Sequence, residues 1–217
     1  MHLPKTCINT YLCSMEKMDT AILLEDTFNK GIDYSVYSQQ MNQFVAAQKT
    51  SGSNQSEALI DYTKLNLQRM NRWDKKAVLS DEIITTVKYI NKPQHWIVIT
   101  EAWCGDAAHN IPAIAKIASH NDLISLRFIY RDENLEVMDQ FLTNGGRSIP
   151  KLIATNEKFE VLFSWGPRPE GCQKLYQQLK AEKADFETSK IALQKWYNAD
   201  KQVALQEELL ALIQETV

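Results

Sequence analysis

The residues from Ile99 to Pro112 read ITEAWCGDAAHNIP. Cys104 follows a tryptophan where a run of apolar residues gives way to a helical pattern. A cysteine in the first turn of a helix points its sulfur at backbone N–H groups that have no helical partner. Those donors and the helix dipole favour the thiolate, so the expected pKa lies below the free value of about 8.5. The thiolate is the nucleophile of thiol–disulfide exchange. Gly105 gives the backbone freedom to turn. Trp103 is placed to shield one side of the sulfur and to offer a flat apolar surface to a partner. Three residues after Cys104 stands Ala107, where a dithiol site carries its second cysteine, so an internal disulfide across that spacing cannot form.

The ionisable neighbours point in different directions. Asp106 suits the first turn of a helix, but its charge opposes thiolate formation next door. Glu101, at the end of the apolar run, reads either as an acid–base group or as a solvated loop carboxylate. His109 lies five residues past Cys104, shares no helical face closely with it, and is expected on the surface. The other cysteines are Cys7, Cys13 and Cys172. No pair has zinc-ligand spacing, so free thiols are expected, with no metal and no cofactor.

Composition narrows the function. The chain has 217 residues, 44% hydrophobic and 24% charged, with a net charge of −3. That balance is globular and lacks the basic excess of a nucleic-acid binder. No apolar run approaches the roughly 20 residues that span a bilayer. Residues 1–18 are poorly patterned and lack the apolar core and cleavage site of a signal peptide. Met15 or Met18 is therefore a candidate start, residues 1–18 read as disordered or non-native, and a cytoplasmic location is the default.

The elements that must hold the cysteine follow from periodicity. Residues 19–83 read as a helical N-terminal extension. Tyr37, Met41, Phe44 and Val45 are spaced by three and four; Ser56 and Ser80 stand as N-caps; Ile83, Ile84, Val87 and Ile90 share a face before Pro93. HWIVIT then reads as a strand buried on both faces. A helix follows Cys104, with Pro112 inside it. LISLRFIY is a second strand, and ENLEVMDQFL is a helix ended by Gly145 and Gly146. PKLIAT and FEVLFSW flank a hairpin turn, and PEGCQKLYQQLKAEK is a further helix. Residues 183–217 form a C-terminal helical extension of one helix or two, and its apolar stripe around Trp196 is a candidate dimer surface. The order β-α-β-α-β-β-α over residues 84–182 implies an α/β fold. Its mixed four-stranded sheet is flanked by helices, with a parallel pair first and an antiparallel hairpin last.

This core resembles thioredoxin. Trp103-Cys104-Gly105 sits at a strand-to-helix junction, Pro112 falls eight residues after the cysteine, Ile149-Pro150 precedes the hairpin, and Gly166 closes the last strand. The form TEAWCGDA with RSIPKLI is similar to a bacterial thioredoxin-like subfamily with a WCGD signature. The resemblance implies a cis Pro150 facing Cys104, with Ile149 supplying backbone groups to a substrate strand. It implies that Trp165, Gly166 and Arg147 border the substrate, Arg147 holding an acidic partner or the carboxylate of a low-molecular-weight thiol. The sequence departs from the family at Ala107 and at Val98, where thioredoxins hold a buried aspartate. The loop 165–171 should return near Cys104, which makes Cys172 a candidate resolving thiol if its Cα comes within about 7 Å.

Two readings follow. In the first, Cys104 is the nucleophile of a single-cysteine thiol–disulfide oxidoreductase that takes a protein disulfide, with a low-molecular-weight thiol releasing the product. In the second, the chain is a redox-inactive binding module that uses the proline groove for protein partners.

Overall fold

The computed structural model describes residues 19–217. Cys7, Cys13 and the candidate starts Met15 and Met18 lie outside them.

Four strands form one sheet: β1 (Gln94–Thr100), β2 (Ile124–Tyr130), β3 (Lys151–Asn156) and β4 (Val161–Trp165), in the order β2-β1-β3-β4. β1 runs parallel to β2 and antiparallel to β3, and β3 pairs antiparallel with β4. The fold is the expected mixed α/β arrangement. The continuous apolar run of β1 has a direct cause: flanked by β2 and β3, Trp96, Ile97, Val98 and Ile99 are completely buried.

Helix α1 covers 19–30 of the described residues. Then come α2 (Tyr34–Ala46), α3 (Glu57–Lys76), α4 (Asp81–Lys88), α5 (Gly105–Ala118) and α6 (Leu135–Gln140). After the hairpin come α7 (Glu170–Ala181), α8 (Phe186–Asp200) and α9 (Val203–Gln214). Ser80 caps α4 through the Ile83 N–H, as its position suggests, whereas the Ser56 hydroxyl makes no capping bond at α3. The boundary expected at residue 83 falls inside α4, which packs on α9.

Two local readings need correction, and the choice between one and two C-terminal helices is decided. α6 ends at Gln140 rather than at the glycines, because Asn144 and Gly145 adopt left-handed backbone in a turn that pairs Thr143 with Gly146. The C-terminal segment is two helices, broken where Lys201 and Gln202 both turn left-handed and Asp200 caps α9 through the Ala204 N–H. The N-terminal segment is not purely helical. Ile32 bridges Phe128 at the middle of β2 through two backbone hydrogen bonds of 3.0 and 2.7 Å.

Trp196 is half-buried within the chain. Its indole lies 3.2 Å from where a side chain on Gly171 would begin, so it packs on α7, while Ile191 and Val203 of the same extension stay exposed. Among the described residues no helix is long and apolar enough to cross a membrane.

Candidate functional site

Cys104 occupies the N-cap of α5. The Ala107 N–H donates to Sγ at 3.4 Å, which is the contact expected of a helix-start cysteine. The thiol in turn donates to the Ile149 carbonyl at 3.3 Å. The side chain is 7% exposed, and burial, with the Asp106 charge second, pushes its pKa up to about 12. This overturns the expected depression. Backbone donors favour the thiolate, but desolvation outweighs them, and Cys104 rests as a neutral thiol.

The Ile149–Pro150 and Gly166–Pro167 peptide bonds are both cis. Gly166 has φ of +116°, and a Cβ there would lie 2.2 Å from the Pro150 carbonyl oxygen. Only glycine permits that approach of the end of β4 to the start of β3. Gly105 is different. Its backbone stays outside the left-handed region, and a side chain there would meet only Arg69 Nη1, at 3.2 Å. Its smallness makes room for an arginine; it does not free the backbone to turn.

Asp106 is not a free acid. Its Oδ2 accepts from Arg168 Nε at 3.1 Å and Nη2 at 2.5 Å, and its Oδ1 accepts from the Tyr197 hydroxyl at 2.8 Å. Both ion-pair side chains are 13% exposed. Removing one partner from so buried a pair strands the other charge. Arg168→Met is therefore expected to lower folding stability by about 3 kcal/mol in urea titration. The double variant with Asp106→Asn should recover part of that loss, since the stranded charge is gone.

Glu101 is fully buried, not a solvated loop carboxylate. Its oxygens accept from the Ser51 hydroxyl and from the Asp132 N–H, and burial raises its pKa. It holds the β1–α5 loop to the segment before α3 and does not line the cleft described below.

His109 is buried as well, contrary to the surface position expected. Its Nδ1 accepts from the Trp73 indole N–H at 3.0 Å, which leaves Nε2 to donate to Gln194 at 3.2 Å. Its ring stacks on Tyr197 with centroids 4.2 Å apart. His109 thus ties α5 to α3 and α8, and it lines the cleft described below.

Trp165 and Cys172 are withdrawn from the site. The Trp165 indole donates to Glu208 on α9 at 2.6 Å and is buried. Cys172 has no exposed surface, and burial pushes its thiol up to about 12. It stands as a free, covered thiol in the first turn of α7, close enough to feel the charges of Asp106 and Arg168.

A cleft of about 590 Å³ opens at Cys104. Of the expected residues, Trp103, Cys104, Gly105, Asp106, Arg147 and Ile149 line it; Glu101, Pro150, Trp165, Gly166 and Cys172 do not. Arg147 makes a two-pronged pair with Asp139 at 2.6 and 2.7 Å, and the Arg131 guanidinium lies 5.0 Å over the Trp103 ring. Sequence reasoning missed Arg69 and Arg131, and it missed the walls that α3 and α8 supply through Tyr62, Phe186 and Tyr197. Arg168 was within reach, since it belongs to the loop expected near Cys104.

The comparisons with known proteins agree with this geometry. No curated protein matches the chain. Two solved structures share the fold. One is the crystal structure of an HIV epitope-scaffold, at TM-score 0.56 and 17% identity, covering 87% of this chain and 96% of that one. The other is a protein of unknown function from Pseudomonas aeruginosa, at TM-score 0.57 and 18% identity, covering 88% and 96%. At such identities the likeness speaks for architecture alone. The model of a family described as thioredoxin matches residues 52–180, a stretch that holds the whole sheet, Cys104 and the segment that crosses to it at Pro150. By that match over more than half its length, the chain belongs to the thioredoxin family.

Proposed function

We propose that this thioredoxin-fold chain is a binding module that holds its partner in the cleft at Cys104 without forming a mixed disulfide. The observation that carries this reading is the buried hydrogen bond from the Cys104 thiol to the Ile149 carbonyl. That bond requires the proton, and it engages one of the two lone pairs of the carbonyl that a substrate strand would pair with. The covered position of Cys172 and the alanine at 107 add that, among the described residues, no second exposed thiol stands ready to resolve a mixed disulfide.

The monothiol oxidoreductase is the second reading. The contact from the Ala107 N–H to a sulfur that lines the cleft favours it. There, the Cys104 thiolate attacks one sulfur of a substrate disulfide, the other sulfur leaves as a thiolate, and an external thiol displaces Cys104 from the mixed disulfide.

Alkylation by iodoacetamide, followed by peptide mass spectrometry across about pH 6 to 10, separates the two. With a pKa of about 12 in place of about 8.5, the neutral-pH labelling rate of Cys104 in the folded protein should fall roughly a thousandfold below that in urea. A folded-state midpoint below about 7 would remove the binding reading and establish an activated nucleophile.

A further inference from the structure

We infer that the cleft at Cys104 binds a small organic anion with an apolar, aromatic-sized body. This rests on the binding reading and names the class of its ligand.

Charge is the first argument. The molecule carries a net charge of −3, yet five cations line the cleft: Arg69, Arg131, Arg147, Arg168 and Lys190. Asp106 is the one carboxylate among the lining residues, and Arg168 cancels it. Arg131, Arg147 and Lys190 pair with Asp132, Asp139 and Glu187, whose side chains are 36%, 44% and 64% exposed. Exposed pairs of this kind contribute about 0–1 kcal/mol each, so an anion entering the cleft can exchange for them at little cost.

Arg69 forms no ion pair among the described residues, although the Asp106 charge acts on it. Its Nη1 donates to the Asn66 side-chain carbonyl at 2.9 Å. Its Nε is buried without a hydrogen-bond partner, one of four such side-chain atoms among the described residues. A buried donor left unmade is costly, and burial lowers the pKa of this guanidinium. The group sits against the Cys104–Gly105 turn, where only the absence of a side chain on Gly105 gives it room. Arginine presents a planar fork that matches a carboxylate, sulfonate or phosphate.

The walls define the rest of the ligand. Trp103, Tyr62 and Phe186 supply flat apolar faces, and Phe186 stands 66% exposed at the start of α8. A volume of about 590 Å³ falls within the roughly 300–1,000 Å³ of small-molecule sites. An extended acidic polypeptide fits less well. α3 and α8 wall the groove, and the Ile149 carbonyl already accepts one hydrogen bond, from the Cys104 thiol.

The test uses a matched pair of fluorescent probes. 1-Anilinonaphthalene-8-sulfonate and N-phenyl-1-naphthylamine share one ring system, and only the first carries an anion. In titrations of the intact protein the sulfonate should bind at least about tenfold more tightly, with an advantage that shrinks as salt is added. Arg69→Gln should abolish the advantage. Arg147→Gln, at an exposed site that does not threaten folding, should reduce it, with circular dichroism verifying both variants. Phenyl phosphate should displace the sulfonate probe. Equal affinities for the two probes, or a sulfonate affinity unchanged in both variants, would overturn the inference. So would displacement by polyglutamate and not by phenyl phosphate. The Cys104 alkylation profile reads the binding-module role separately: an activated thiol ends that role whatever the probes do, and unselective probe binding ends the anion assignment alone.

Discussion

Replacing Gly166 with alanine is expected to cost about 4 kcal/mol of folding stability, the sum of backbone strain and a collision that cannot relax cheaply. The strain comes from φ of +116°, which side chains with a Cβ avoid. The collision is with the Pro150 carbonyl oxygen at 2.2 Å, and the Pro150 carbon and Lys151 Cα lie within 3.4 Å behind it. All three are backbone atoms of the segment that carries the Ile149 carbonyl. Relief therefore requires β3 and β4 to separate at their ends, which also pulls on the hydrogen bond that holds the Cys104 thiol. Gly145→Ala is the matched control. It too has a positive φ, +75°, but nothing lies within 4 Å of its added Cβ, so about 1 kcal/mol is expected. Urea midpoints of the two variants decide the matter. A Gly166→Ala protein within about 1 kcal/mol of the parent would show that the contact between the two strand ends is looser than described.

The second large effect is an acid sensitivity centred on His109. The folded protein holds this ring neutral. Burial, helped by the positive charge of Arg69, pushes its pKa down to about 3 from an ordinary value near 6.5. Protonation would place a hydrogen on Nδ1, which must accept from the Trp73 indole, a group that can only donate. The sign follows from proton counting. Below about pH 6.5 the unfolded chain binds a proton that the folded chain refuses, so stability is lost as pH falls towards 3, by about 1.4 kcal/mol per unit. About 2 kcal/mol should be gone by about pH 5. His109→Gln keeps an acceptor for Trp73 and removes the titration. Urea unfolding of parent and variant between about pH 5 and 7.5 should therefore give profiles that diverge on the acid side. Parallel profiles would mean that the ring titrates normally. Because Tyr197 and Gln194 reach His109 from α8, the same protonation should loosen the wall of the cleft before the sheet yields.

The sheet was legible because β1 and α5 announce themselves. Four consecutive residues buried on both faces make an unbroken apolar run, and the helix after Cys104 places isoleucines every third residue. Much of the site was not legible, for reasons that can be named. Local rules predict an acidic Cys104, but its pKa is set by burial, which depends on residues far away in sequence. The spacing of His109 says surface, yet the ring is buried and lines the same cleft as Cys104. It is met by Trp73 of α3 and Gln194 of α8, both far from it in sequence. The helix around Trp196 shows an apolar stripe that suits a partner subunit as well as an intramolecular dock, and periodicity does not distinguish them. Arg69 lies in a stretch whose pattern says only helix; its role appears once α3 is laid across the start of α5.

The bridge between Ile32 and Phe128 has a meaning beyond its two hydrogen bonds. β2 is an outer strand, and a bare outer strand is a template on which another molecule can extend the sheet. Ile32 takes both backbone groups of Phe128 at the centre of that strand, so no run of free donors and acceptors is left along it. One residue between α1 and α2 thereby interrupts the β2 edge against strand addition, without a full fifth strand.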